Sequence, residues 1–152
     1  MVAIALGSNL GDRAAHLDFA VSRLSQSLAS LVVSAYHDTE PVGTPEPQGR
    51  YLNAALVGRT SLGPHALLDL LLAIEQERGR ARPYVNAPRT LDLDLLFYGD
   101  QIISDGRLTV PHPRLRDRRF VLEPLAEVAP DLRDPLTGLT VRDLLARLAG
   151  IL

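Results

Sequence analysis

A chain of 152 residues is expected to form one domain, 1–152, burying roughly 70% of the surface its unfolded form exposes. A formal net charge of −2 and a pI near 6.1 argue against a general nucleic-acid binder, and no apolar run approaches the ~20 residues of a membrane span, so neither nucleic acid nor membrane is an expected partner. The absence of cysteine excludes a disulfide framework and a thiolate metal site, and suits a reducing, cytoplasmic setting.

The residues Met1 to Leu6 lack a basic leader and run straight into Gly7, so the start reads as a buried strand over Val2 to Leu6. Gly7-Ser8-Asn9-Leu10-Gly11-Asp12 reads as a tight turn, with Asn9 and Asp12 as candidate caps for the helix that follows. Ala14, Leu17, Val21, Leu24 and Leu28 recur at helical spacing. Leu31 to His37 is apolar and β-branched enough for a second strand. The proline- and glycine-rich stretch Pro41 to Gly49 is a loop whose length suits a mobile lid.

Tyr51 to Arg59 is expected as a third strand, with Tyr51, Asn53 and Ala55 on one face and Leu52, Ala54 and Leu56 on the other. Pro64 to Arg78 is a helix that opens on proline and stops at Gly79. A second loop, Arg80 to Arg89, leads to a fourth strand over Thr90 to Tyr98, and Ile102-Ile103 adds a short fifth. Helices are expected around Val121 to Val128 and Val141 to Leu148. The order β-α-β-β-α-β fits a ferredoxin-like α+β sandwich: an antiparallel sheet with two helices on one face, additional C-terminal helices, and the strands flanking each helix paired in parallel.

Every basic side chain is arginine, and nine of the sixteen fall in two windows, 78–89 and 107–119. Such clustering fits a local anion site as well as it fits solvated loop charges in an arginine-rich composition. The stretch Pro88 to Phe97 is more specific. In a strand Asp92 and Asp94 point the same way, with Cα atoms roughly 6.5–7 Å apart, while Leu91, Leu93 and Leu95 enter the core. Two carboxylates side by side on an apolar strand repel each other and need a cation. Magnesium, which binds carboxylates together with substrate phosphates, meets that need better than surface pairing with arginine. Acids with arginines nearby equip a chain for phosphoryl transfer. No G-x-x-x-x-G-K-[ST] loop is present, so arginines and metal would have to hold a nucleotide. His112 between two prolines, beside Arg107 and Arg118, is a candidate phosphate donor; His16, His37 and His65 have no companion at metal-ligand spacing.

Gly7-Ser8-Asn9-Leu10-Gly11, Tyr51-Leu52-Asn53-Ala54-Ala55, Gly79-Arg80-Ala81-Arg82, Pro88 to Asp94 and Leu108 to Pro113 together resemble the 6-hydroxymethyl-7,8-dihydropterin pyrophosphokinases of folate biosynthesis. The resemblance implies a magnesium-dependent transfer of pyrophosphate from ATP to the hydroxymethyl group of the pterin, with AMP released. It implies that Asp92 and Asp94 hold two magnesium ions, that Arg80 and Arg82 lie on a mobile catalytic loop, and that Arg89 stands beside the phosphates. Glu75, Leu95, Arg107, Thr109, His112 and Arg118 match positions lining the ATP site. Thr39, Val42, Tyr51, Asn53 and Phe120 match the pterin pocket, with the ring held between the two aromatics. Val85-Asn86-Ala87 and Pro113 depart from the family pattern. A monomeric enzyme acting on small molecules is the expectation. A ferredoxin-like RNA-binding module and a nucleotidyltransferase that retains AMP on its product are the alternatives, the first disfavoured by acids in the sheet.

Overall fold

The computed structural model describes residues 1–39, 50–79 and 90–150, and the elements below are those of the described residues. In chain order they are β1 (Val2–Ser8), α1 (Arg13–Ser25), β2 (Ala29–Val33), β3 (His37–Thr39), β4 (Tyr51–Arg59), α2 (Pro64–Glu77), β5 (Asp92–Tyr98), β6 (Ile103–Ser104), β7 (Thr109–Val110), α3 (Arg119–Val128) and α4 (Val141–Leu148). A single 3₁₀ turn, Leu115–Asp117, precedes α3. Local chemistry accounts for most boundaries. The Asp12 carboxylate accepts the amide of Ala15 at 3.1 Å and starts α1. Pro64 opens α2, and Gly79, at φ +82°, sits just beyond its end where an L side chain would be strained.

The main sheet runs β2-β4-β1-β5, with β3 also on β4, and every pairing in it is antiparallel. The expected parallel pairing of strands around each helix is therefore wrong: β4 lies between β1 and β2, and β1 lies between β4 and β5. The second strand is also not continuous. Between β2 and β3 Ser34 still holds β4, its amide donating to the Ala55 carbonyl at 2.9 Å and its hydroxyl accepting the Ala55 amide at 3.0 Å, while the next amide, Ala35, donates to Glu127 on α3 at 3.0 Å. The short strand expected at Ile102-Ile103 falls one residue later and pairs with β7 as a small hairpin.

Two cores follow from strand alternation. On one face Ile4, Leu6, Leu56, Leu91, Leu93 and Leu95 pack against Leu17 and Leu24 of α1 and Leu67, Leu71 and Ile74 of α2. Each such burial contributes about 1.5–3 kcal/mol, so this face carries much of the stability. On the other face Ala3, Ala5, Ala55, Val57, Leu96 and Phe97 meet α3 and α4 through Val121, Leu122, Leu125, Val141 and Leu144. The additional C-terminal helices thus cover the opposite side of the sheet from α1 and α2.

Candidate active site

The α3 face of the sheet also carries polar side chains in strand register. His37 of β3 stands opposite Asn53 of β4, Asn53 opposite Gly7 of β1, and Gly7 opposite Asp92 of β5. One row further in, Ala55, Ala5 and Asp94 are aligned. At about 4.8 Å per strand, Asn53 and Asp92 flank a strip two strand spacings wide whose centre is glycine. The asparagine is buried, 7% exposed, and its amide donates to the Thr39 hydroxyl. Tyr51 pairs with Thr39 and lies on the same face as Asn53. A side chain at position 7 would meet Asn53 Oδ1 at 3.1 Å and approach the Tyr51 ring at 3.9 Å. Gly7 therefore belongs to the strand, not to a turn, and its missing side chain keeps the floor of the strip open.

A β-bulge in β5 organises the rim. Ile4 pairs with Leu95 and Ala3 with Phe97, so Leu96 is the extra residue. The Leu96 carbonyl accepts the His112 amide at 2.9 Å, which seats the segment after β7 alongside β5. His112 Nδ1 accepts the Arg114 amide at 3.2 Å, leaving Nε2–H as the outward donor. Burial lowers the His112 pKa first; Arg118 and Arg114 lower it further, while Asp92 opposes them, so the ring is neutral at pH 7. Arg118 forms the entry of α3, its carbonyl accepting the amides of Val121 and Leu122 at 3.0 Å. Its guanidinium lies 5.6 Å from the centroid of Phe120, a cation–π approach that places the half-buried ring in the first turn of α3.

The structure thus brings Asp92, Asp94, Asn53, Thr39 and Tyr51 onto one face, with His112, Arg118 and Phe120 on the segment that leads into the covering helix. Other expected site residues stand apart from this strip. Leu95 is 4% exposed and packs in the α1/α2 core. Glu75 of α2, 2% exposed, accepts the Leu93 amide at 2.7 Å and so satisfies the outer edge of β5. Arg107 is exposed and paired with Asp69 of α2, and Thr109 is exposed in β7. Arg80, Arg82, Arg89, Val42, the segment Val85-Asn86-Ala87 and both expected loops lie outside the described residues. The sequence reading missed the place of Gly7 in the strip and the bulge at Leu96. The first could have been found by extending the β1 alternation by two residues; the second has no local signal, because Leu95-Leu96-Phe97 is apolar throughout.

Among the described residues no cluster of three or more His, Asp or Glu side chains could by itself hold a metal ion. Two hard carboxylates at half-buried positions suit a cation that completes its shell with phosphate and water, which is the habit of magnesium.

Comparison with known families matches residues 3–130 to 7,8-dihydro-6-hydroxymethylpterin-pyrophosphokinase (HPPK). The 2-amino-4-hydroxy-6-hydroxymethyldihydropteridine pyrophosphokinase of Methylorubrum extorquens is 46% identical over 147 residues, covering 95% of this chain and 91% of that protein. Its namesake in Bacillus subtilis is 46% identical over 137 residues, 89% of this chain and 81% of the relative, and that of Synechocystis sp. 44% over 145 residues, 93% and 73%. In fold, the chain superposes on wild-type Plasmodium falciparum HPPK-DHPS with a TM-score of 0.74 at 14% identity, covering 98% of this chain and 44% of that one. An HPPK-DHPS in complex with substrates gives 0.71 at 13% identity, covering 96% and 43%, so this chain spans less than half the length of those proteins. A match that takes in both the acidic strand and the segment after β7, with a relative 46% identical over 91% of its own length, means that this chain belongs to the 7,8-dihydro-6-hydroxymethylpterin-pyrophosphokinase family.

Proposed function

We propose that this chain transfers the terminal pyrophosphate of ATP to the hydroxymethyl oxygen of 6-hydroxymethyl-7,8-dihydropterin, a step of folate biosynthesis, using the strip between Asn53 and Asp94 as its active site. The observation that carries the proposal is the register row Asn53–Gly7–Asp92, which sets an amide for a heterocycle edge two strands from a carboxylate for phosphate-bound cations. The pterin lies over Gly7, its edge hydrogen-bonded by Asn53 and Thr39 and its faces against Tyr51 and Phe120; the family resemblance assigns Val42 to the same pocket. The nucleotide lies toward β5, where His112 Nε2–H and Arg118 donate to its phosphates. Arg107 can exchange its exposed partner Asp69 for a phosphate at little cost, because such surface pairs contribute only about 0–1 kcal/mol. Thr109, Leu95 and Glu75 support the nucleotide side, Glu75 by holding β5 in place, and Arg80, Arg82 and Arg89 supply positive charge to the transferred group.

Asp92 and Asp94 would hold two magnesium ions, which when bound neutralise phosphate charge and acidify the alcohol. The hydroxymethyl oxygen forms its bond to the β-phosphorus as the bond from that phosphorus to the α–β bridging oxygen breaks. AMP leaves with the bridging oxygen, and the alcohol proton passes to water; no side-chain base is required.

The strand order β2-β4-β1-β5, antiparallel throughout, supports a ferredoxin-like βαββαβ arrangement for one domain over residues 1–152. A monomeric cytoplasmic enzyme that acts on small molecules, and not on nucleic acid or membranes, completes the reading. The mildly acidic pI supports it, and no helix among the described residues is long and apolar enough to cross a membrane. The deciding experiment incubates the protein with ATP, magnesium and 6-hydroxymethyl-7,8-dihydropterin and identifies the nucleotide product. AMP with a pterin diphosphate is expected. ADP, or free pyrophosphate with an adenylylated product, rejects the reaction.

A further inference from the structure

The family match ends at residue 130, yet the residues beyond it reach back to the segment that faces the strip. Asp134 is 0% exposed, and both of its oxygens are fully engaged. Arg116 grips it with two parallel bonds, Nε to Oδ2 at 2.6 Å and Nη2 to Oδ1 at 2.9 Å. The Leu136 amide donates to Oδ1 at 3.0 Å and the Thr137 hydroxyl to Oδ2 at 2.9 Å. Forked pairs of this kind fix orientation as well as distance. The carboxylate itself is rigidly mounted. Its own amide donates to the Leu139 carbonyl at 2.9 Å, and its carbonyl accepts the Gly138 amide at 2.8 Å, closing a tight turn. That turn runs into α4, whose Val141 and Leu144 are buried in the second core beside Leu115.

Arg116 lies in the 3₁₀ turn between His112 and Arg118, with the fully buried Leu115 next to it. Leu115 fixes the depth of this turn in the core and the Leu96 carbonyl holds its His112 end. The forked pair adds a third, directional anchor. We propose that Asp134 is a positioning residue for the reaction: through Arg116 it sets the orientation of the turn that presents His112 and Arg118 to the nucleotide and Phe120 to the pterin. The inference rests on the function proposed above, and its geometric part stands independently of it. The acids of β5 are not touched by the clamp, so losing it should weaken substrate affinity and spare turnover at saturation.

Asp134→Asn and Leu144→Ala are compared with the unsubstituted chain by steady-state kinetics, thermal melting and hydrogen exchange at the amides of His112, Val121 and Leu122. Asp134→Asn is expected to raise KM for both ATP and the pterin about tenfold at nearly unchanged kcat, and to accelerate exchange at those amides. Leu144→Ala, which loosens the same core from the far side, should lower Tm and leave both KM values in place. Arg116→Lys keeps the charge without the fork; it should show the Asp134→Asn pattern at several-fold smaller amplitude, and it decides the matter where Asp134→Asn does not fold. Unchanged exchange in the clamp variants overturns the clamp, and faster exchange with unchanged KM overturns its role in the reaction. An unsubstituted chain that forms no AMP sinks the functional reading instead, while the exchange measurement still decides the geometry.

Discussion

The two faces of β1 and β5 differ in what they are made of and in what they do. Toward α1 and α2 the side chains are Ile4, Leu6, Leu91, Leu93 and Leu95, each no more than 6% exposed. Toward α3 the same strands present Ala3, Ala5 and Gly7, the acids Asp92 and Asp94 and, at the bulge and beyond it, the buried Leu96 and Phe97. Alternation therefore separates stability from chemistry by one residue along the chain. A strand can carry two carboxylates in a sheet because its other face supplies the burial that offsets the cost of placing them there.

The sharpest way to break this comparison is to substitute neighbouring residues of β5. Asp94→Ala is expected to lower AMP formation about 10³-fold at an unchanged melting temperature, since it removes charge stabilisation and no core volume. An active Asp94→Ala protein would move the chemistry elsewhere. Leu93→Ala should do the reverse: about 2–5 kcal/mol of stability lost in urea unfolding, with the turnover of the remaining folded molecules preserved. Comparable losses of both kinds in both variants would show that the faces are not separable.

A smaller effect tests the floor of the strip. Gly7→Ala places a methyl 3.1 Å from Asn53 Oδ1, and Asn53 cannot easily yield because Thr39 holds its amide. The KM for the pterin should rise several-fold, about 1 kcal/mol of overpacking, with that for ATP little changed. Equal changes in both would place the pterin away from Gly7.

The smallest effect lies off the main sheet. The amides of Arg107 and Leu108, with His65 as a further partner, hold the Asp105 carboxyl down at about 2. Because that is below the unfolded value, its contribution to stability is complete above the ordinary carboxylate range and fades as pH falls through about 2. Acid melting curves of the unsubstituted chain and Asp105→Asn should converge toward that end, while their AMP-forming rates at neutral pH stay close. A separation that widened with acid would contradict the capping role.

How much could be read in advance depended on the range of the forces involved. The helices around Val121 and Val141 and the extent of β4 were legible because apolar period and proline or glycine punctuation are local. So was the common face of Asp92 and Asp94, which follows from the pleat. The break after β2 was not legible, because the Ser34 hydroxyl takes the Ala55 amide and the Ala35 amide turns to Glu127 on α3, far along the chain. Nor was the bond from the Leu93 amide to Glu75, which exists only once the edge of β5 lies beside α2.

By itself the sequence determined which side chains share a face, because that is a property of backbone geometry two residues at a time. The resemblance to a family added what those side chains are for. Only the tertiary structure decided which faces meet. Antiparallel register set Gly7 between Asn53 and Asp92, the bulge at Leu96 offered a carbonyl to His112, and Asp134 closed on Arg116. Each of these depends on strand order and packing between distant segments, where alignment is fixed by the burial of whole faces and leaves no mark at any single position.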